Sequence, residues 1–235
     1  MITRIPLGYS HWELRDAVRG PGLILLAVAV LVGFILTRMP SSQAFTTEDV
    51  VRAIADQSLF PLVLVVSAGL VSRDLGEGYY RAYFSRPVSP PLFYLQRWLV
   101  GGVLLMLYIP MLAAAASIRT GDLQVPLWIA GRAALLYLLV GGTVLFFSTL
   151  VRRDWVLGAG FYILESILHA IQSQGGGLSG IARAVYAVLP PYHAAAIDGS
   201  PSQGDIWGAA AYGACIVLAA LAVLHWRALG SGGRA

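Results

Sequence analysis

The chain contains no lysine, because all sixteen of its basic residues are arginines. A nucleotide-binding P-loop has the pattern GxxxxGK[ST], in which the lysine reaches the phosphates of the nucleotide. Without lysine the chain holds no such site. Any work that it does at the expense of ATP must therefore draw its energy from a separate chain.

Charge of either sign is also scarce. Charged residues make up 12% of the chain and hydrophobic residues 57%, with a mean hydropathy of +0.72. A soluble domain carries about 25% charged residues, so this chain has too little charge to cover a surface that faces water. The composition indicates an integral membrane protein in a lipid bilayer. The net charge of +4 then matters through where the arginines lie, and it predicts no nucleic-acid partner.

Cysteine and histidine are nearly absent. Cys215 is the single cysteine, which excludes an intrachain disulfide and a thiolate metal cluster. The four histidines stand at positions 11, 169, 193 and 225. Glu165 and His169 form the one close pair of metal-ligand residues, and two ligands do not make a site. We therefore predict no metal site from the sequence.

Six windows of the sequence are nearly free of charge and approach the roughly 20 apolar residues that a membrane-crossing helix needs. They cover residues 20–37, 57–72, 98–118, 133–151, 155–171 and 206–226. We expect an all-α polytopic membrane protein in which residues 20–226 form a six-span transmembrane domain. An even number of spans places both termini on the same side.

The arginines set the predicted orientation. Eleven of them lie in the N-terminus, the connector after the second span, the turn at 152–154 and the C-terminus, against five in the opposite loops. Loops rich in arginine stay in the cytoplasm. We therefore expect cytoplasmic termini in the inner (cytoplasmic) membrane, with residues 1–19 as an interfacial helix and 227–235 as a flexible tail. Tryptophans at 12, 98, 128, 155, 207 and 226 lie near predicted span ends, as in an interfacial aromatic belt.

The connector between the second and third spans is unusually rich in arginine and tyrosine. Its sequence is SRDLGEGYYRAYFSRPVSPPLFYLQRW, residues 72–98. Residues 74–86 can form a helix, which ends there because Pro87 disfavours helical geometry at Arg86. Spacing of four places two aromatic pairs on one face, Tyr79 with Tyr83 and Tyr80 with Phe84. Such a face suits either docking into a groove on a partner or contact with lipid headgroups.

With its six spans, this connector resembles that of the membrane subunit of type-2 ABC exporters. In that family the connector runs from an acid and a glycine through a helical stretch to small-polar–x–Pro–apolar–Ser. Glu77-Gly78 and Ser85-Arg86-Pro87-Val88-Ser89 match in that order. The chain departs from the pattern at Tyr79, where a small residue is common, and at Pro90, which replaces a basic residue.

The resemblance implies that the connector is a coupling helix, which inserts into a cleft of a separate ATPase. It also implies a permease dimer, of two like or unlike six-span subunits, working with an ATPase dimer that holds the ATP and Mg²⁺. This chain itself would bind no cofactor and would not be an enzyme. The coupling residues would be Asp74, Glu77, Gly78, Tyr79, Tyr80, Arg81, Tyr83, Phe84, Ser85, Arg86 and Pro87.

Glu165 is the one carboxylate well inside a predicted span, where a charge is costly and commonly marks a functional site. Helical spacing places Tyr162, Glu165, His169 and Gln172 on one stripe. This stripe either lines a substrate path or subunit interface, or provides a structural hydrogen bond within the bundle.

Two other classes of function compete with transport. Gly177-Leu178-Ser179-Gly180 matches a motif of intramembrane serine proteases, with His193 or His225 as the candidate base. A membrane-embedded enzyme, whether protease or lipid transferase, would need a nucleophile and a base at one depth, and Ser179 falls in a loop beyond the fifth span. A membrane scaffold without transport is the third class. The segment 181–189 is predicted as a short helix that re-enters the outer leaflet.

The orientation can be tested by labelling single cysteines in a Cys215→Ala background. A cysteine at Ser85 should resist membrane-impermeant thiol reagents in intact cells, whereas a cysteine at Ser202 should react, because the two positions lie on opposite sides. The reverse pattern would overturn the orientation and the coupling-helix interpretation with it.

Overall fold

The computed structural model describes residue 15 and residues 18–38, 46–77, 89–121, 127–175, 177–196 and 201–231. All regular structure in these ranges is helical. A helix bonds its backbone N–H and C=O groups within one segment, which is what a chain in hydrocarbon requires because no water is present to bond them.

The helices of the described ranges are numbered in chain order. They are α1 (Leu23–Arg38), α2 (Thr47–Ser67), α3 (Ser72–Glu77), α4 (Pro90–Thr120), α5 (Leu127–Leu136), α6 (Gly142–Ser148), α7 (Asp154–Ser173), α8 (Gly180–Val188) and α9 (Gln203–Ser231). A π-helical turn, Val18–Gly22, leads into α1, and another, Tyr137–Gly141, joins α5 to α6. A 3₁₀ turn covers Tyr192–Ala195.

Five helical segments are long and apolar enough to cross a membrane. They are Thr47–Glu77, Pro90–Ile118, Leu127–Ser148, Asp154–Ser173 and Gln203–Arg227. The prediction of a multi-pass helical membrane protein is therefore confirmed. A shorter apolar helical stretch, Val18–Val32, lies within the first predicted window. The second predicted window was short because α2 starts ten residues before it, in a polar turn that contains Glu48, Asp49 and Arg52.

Local sequence explains where the helices start and stop. α2 begins with a capping box, in which the Thr46 hydroxyl accepts from the backbone N–H of Asp49 and the Asp49 side chain accepts from that of Thr46. α4 begins with proline at its first two positions, where the missing N–H has no helical partner in any case. It ends at Gly121, whose φ of 72° is a left-handed conformation that glycine adopts without strain.

The core of the bundle forms around α4. The helices α1 and α2 pack against α4, while α9 packs against α6 and α4, and α6 packs against α7. Leu105, Tyr108 and Leu112 on α4 are fully buried in this core. The helix α4 is therefore the one against which α1, α2 and α9 all pack.

Trp98 corrects one expectation about the aromatic belt. Its side chain is 6% exposed and stacks on Tyr137, with 4.9 Å between ring centroids. The Tyr137 hydroxyl donates to the Trp98 carbonyl at 2.5 Å. Trp98 is therefore a core residue eight positions inside α4, because that helix starts at Pro90 rather than at the edge of the apolar window. Exposed tryptophans near helix ends fit the belt: Trp128, Trp155, Trp207 and Trp226.

Several predicted segments fall wholly or largely outside the described ranges. The interfacial helix at 1–19 is described at residues 15, 18 and 19 alone, and the coupling helix only as far as Glu77. At the other end of the chain, α9 continues through Ser231, into the segment 227–235 that was predicted as a tail. The short helix predicted at 181–189 is present as α8.

Close packing of α7 against α6 depends on Gly158. A Cβ atom added there would lie 2.5 Å from Cγ2 of the buried Val144, whereas one added at Gly160 meets nothing within 4 Å. We predict that Gly158→Ala lowers the free energy of unfolding by about 1–3 kcal/mol, the usual cost of overpacking. Gly160→Ala is the matched control on the same helix and should be neutral or stabilising, since alanine favours a helix over glycine. Thermal unfolding in detergent measures both, and equal melting temperatures would contradict the packing.

Candidate functional site

The start of the connector is anchored to α4 by a buried ion pair. Asp74, in α3, is 5% exposed. Its Oδ2 accepts from Nη1 of Arg97 at 2.5 Å and from the Tyr94 hydroxyl at 3.2 Å. Arg97 also donates to the carbonyl of Leu70 at 3.1 Å. Both partners of Asp74 lie on α4, so the chain segments that enter and leave the connector are bonded to each other.

A second carboxylate anchors the same region to α7. Asp154, the first residue of α7, is 1% exposed. Its Oδ2 accepts from the backbone N–H of Gly69 at 2.9 Å and from the Ser72 hydroxyl at 3.2 Å. Gly69 adopts a φ of 74°, and this tight turn between α2 and α3 turns its N–H toward the carboxylate. An acid in the first turn of a helix is also favoured by the helix dipole.

The outer face of α3 is exposed. Glu77 pairs with Arg73 one turn earlier at 3.1 Å, and Arg152 donates to the carbonyl of Gly76 at 3.4 Å. An open pocket lies beside this face. Of the predicted coupling residues, Asp74 thus turns inward and acts as an anchor, while Glu77 remains on the surface. The others, at positions 78–87, lie outside the described residues.

A second cluster surrounds Glu165 in the middle of α7. Glu165 is 1% exposed, and its Oε1 lies 2.6 Å from Nδ1 of His193. The imidazoles of His169 and His193 stack in parallel, with 4.3 Å between centroids and 5° between planes. The Tyr186 hydroxyl lies 2.9 Å from Nδ1 of His169 and 3.5 Å from Nδ1 of His193. We call Glu165, His169, Tyr186 and His193 the acid–histidine cluster.

His193 reaches Glu165 because the segment around it is fixed on several sides. It lies in the 3₁₀ turn Tyr192–Ala195, where the hydroxyl of the buried Tyr192 donates to Oγ1 of Thr143 at 3.2 Å. Arg132 donates to the carbonyl of Ala194. Just before the turn, the Tyr212 hydroxyl donates to the carbonyl of Val188 at 2.6 Å. These contacts tie the turn to α5, α6 and α9.

The predicted stripe on α7 divides into three environments. Glu165 and His169 meet in the cluster, where Glu165 is buried. Tyr162 instead stacks on Phe60 of α2, with 3.7 Å between centroids, and lies next to Tyr192. Gln172 is exposed, one turn beyond the cluster.

Sequence reasoning did not connect Tyr186 or His193 with Glu165, from which they lie 21 and 28 residues away, and it named His193 only as a candidate protease base. The sequence contained a usable signal, the short helix predicted at 181–189 followed by Pro190-Pro191. A helix that folds back and ends there returns the next residues to the fifth predicted span. The predicted pairing of Glu165 with His169 alone was therefore incomplete.

The cluster combines groups that exchange protons or donate electron pairs. A carboxylate 2.6 Å from an imidazole nitrogen holds a charge-assisted hydrogen bond. The Tyr186 hydroxyl, 2.9 Å from Nδ1 of His169, can donate to or accept from that nitrogen and so orient the imidazole. The ligand atoms of Glu165, His169 and His193 all lie within 4.8 Å of one another.

The serine of the protease-like motif does not belong to this cluster. Ser179 is the N-cap residue of α8, and its side chain makes no capping hydrogen bond. The histidines of the cluster instead contact Tyr186, two helical turns further along α8. Within the described ranges neither candidate base, His193 or His225, forms a hydrogen bond with Ser179.

The fold defines a class, a multi-pass α-helical membrane protein. Neither a known protein family nor a curated protein matches the sequence. Any narrower assignment therefore depends on the residues and the geometry described above.

The anchoring role of Asp74 gives a stability prediction. Asp74→Ala removes the carboxylate that bonds the partly buried guanidinium of Arg97 and should lower the free energy of unfolding by about 2 kcal/mol, somewhat below the cost for a fully buried pair. Glu77→Ala, on the same short helix, should have little effect because surface ion pairs contribute little. In a double-mutant cycle, Asp74→Ala with Arg97→Ala should cost less than the two single changes added together. Additive effects on thermal unfolding would show that the pair does not anchor the connector.

Proposed function

We propose that the chain is the permease subunit of a type-2 ABC exporter. In this proposal it forms the export pathway with a second six-span subunit, and a separate ATPase dimer drives the cycle with ATP and Mg²⁺. The resemblance of the connector motif supports the assignment. The absence of a P-loop lysine supports it as well, because in such an exporter the nucleotide binds to a separate ATPase chain.

The observation that carries the proposal is the double anchoring of the connector. Asp74 bonds α3 to α4, and Asp154 bonds the turn before α3 to α7. A loop that merely joins two spans needs no buried carboxylate at its base. A connector that transmits force needs such an anchor, because a displacement of the connector must move the attached helices rather than bend the junction between connector and helix.

The helix α7 extends this connection into the membrane. Asp154 starts the helix and Glu165 lies eleven residues later, about 16 Å along the axis at 1.5 Å per residue. A displacement of α3 that tilts α7 would therefore move the acid–histidine cluster. In this proposal the cluster lines a substrate path or a subunit interface, and its position changes when the ATPase moves α3.

The proposal includes the finer topology. The π-helical turn Val18–Gly22 and α1 form one continuous helical segment, which we assign as the first of six spans. Both termini and the connector are cytoplasmic, residues 1–19 lie along the inner interface, and the protein resides in the inner membrane. The helix α8 re-enters the outer leaflet. It leaves Ile181 and Val188 strongly exposed, as suits contact with lipid.

Coupling can be tested by truncating the aromatic face of the connector. The double variant Tyr80→Ala, Phe84→Ala should insert and fold normally but lose most of its bound ATPase, because buried aromatic anchors typically cost about 2 kcal/mol or more each when removed. The measurement is co-purification of the chain with its ATPase from native membranes, the partner being identified by its P-loop sequence.

Trp207→Ala is the matched control, since Trp207 is 73% exposed on the side of the membrane predicted to face away from the ATPase. It should leave co-purification unchanged. Failure to recover any P-loop ATPase with the wild-type chain, or equal recovery with the double variant, would remove the exporter assignment. The chain would then stand as a scaffold or a membrane enzyme.

A further inference from the structure

We propose that Glu165, His169 and His193 bind one divalent transition-metal ion, of which Zn²⁺ is the best match. The site lies outside the ATPase-coupling region and does not require that the chain be an exporter. The sequence predicted no metal site because it offered two neighbouring ligands, and the fold supplies the third.

The donor set carries the chemistry of the proposal. The two imidazoles are borderline ligands and the carboxylate is a hard one, a combination that suits Zn²⁺ and its neighbours, whereas Ca²⁺ and Mg²⁺ prefer sites built from oxygen. Three protein ligands leave the fourth position of a tetrahedral ion open, as in zinc sites that bind water or a substrate group.

An ion requires both closer ligand atoms and rotation of the imidazoles, because the rings of His169 and His193 stack in parallel and must turn until their nitrogen lone pairs converge on one point. Ligands at about 2.0–2.2 Å around a tetrahedral ion lie about 3.3 Å from each other. The three ligand atoms here lie within 4.8 Å of one another, and the closest pair, Glu165 Oε1 and His193 Nδ1, is separated by 2.6 Å. An ion would take the place of the proton that this pair shares, so that the pair moves apart by less than 1 Å.

The surroundings hold the ligands in position without closing the site. The Glu165 carboxylate is 2% exposed, which favours a cation that neutralises it in a setting where an unpaired charge is costly. Tyr186 bonds to His169, as outer-shell partners of zinc-binding histidines commonly do, and Tyr192 and Ala194 fix the turn that carries His193. The side chain of His193 is 28% exposed, so an ion can enter from that side.

The test is equilibrium dialysis of Zn²⁺ against the purified full-length chain in nanodiscs. A Cys215→Ala background removes the exposed thiol, and a tag without histidines avoids a second metal site. We expect one ion per chain, with no competition from excess Mg²⁺ or Ca²⁺. Zn²⁺ should also raise the thermal unfolding temperature, since a ligand that binds the folded state stabilises it.

The variants separate a built site from adventitious binding. His169→Ala and His193→Ala should each weaken Zn²⁺ binding by more than about 100-fold, and Tyr186→Phe by about tenfold, the lower end of the range for an outer-shell partner. His225→Ala is the matched control, an exposed histidine on α9, and should bind like the parent. Glu165→Gln and His193→Gln keep size and hydrogen bonding and serve where an alanine variant does not fold.

Two results would overturn the proposal. The first is a parent chain that binds no Zn²⁺, and the second is Zn²⁺ binding that the cluster variants leave unchanged, whether or not the His225 variant loses it. Binding is measured on the isolated chain. A negative result therefore leaves the exporter assignment intact, and a failed ATPase co-purification leaves the metal site intact.

Discussion

Three buried carboxylates, each bonded to donors on another element of the chain, organise the described part of this bundle. Asp74, Asp154 and Glu165 are each at most 5% exposed, and a carboxylate removed from water is costly unless donors surround it. Each therefore draws a second element of the chain toward itself. Asp74 holds α4, Asp154 holds the turn between α2 and α3, and Glu165 holds the 3₁₀ turn before α9. Apolar packing between helices in lipid is far less directional, so these acids determine which parts of the surface meet.

Two of the three acids share one helix. Asp154 begins α7 at the base of the connector, and Glu165 lies in its middle with the histidines around it. Gly158, between them, brings α7 against α6 so closely that a methyl group would collide with Val144. A helix that is bonded at its end, packed tightly in its first half and bonded again in its middle moves as a unit. This arrangement joins the base of the connector to the acid–histidine cluster through a single helix.

Most of the helical architecture was predictable, because each span is a local property of about twenty consecutive residues. The five crossing helices coincide with windows of low charge, and α8 was expected at 181–189. The boundaries were less accurate. The helix that contains the second window begins at Thr47 rather than near residue 57, because the Thr46 capping box starts it there. The helix that contains the third window begins at Pro90, and Trp98 is buried rather than interfacial. Hydropathy indicates which part of a helix lies in hydrocarbon, but it does not indicate the residue at which the helix starts.

Composition and spacing by themselves indicated a helical membrane protein without a P-loop lysine, and they singled out Glu165 as an acid inside an apolar helix. Tertiary structure alone decided which residues meet across the chain. Asp74 was expected among the coupling residues, and only the fold shows that it pairs with Arg97, 23 positions later. His193 was counted as a scattered histidine and instead completes the cluster with Glu165, 28 positions earlier. Such contacts depend on how turns return the chain to a helix already formed, and helical periodicity carries no information about residues brought together in that way.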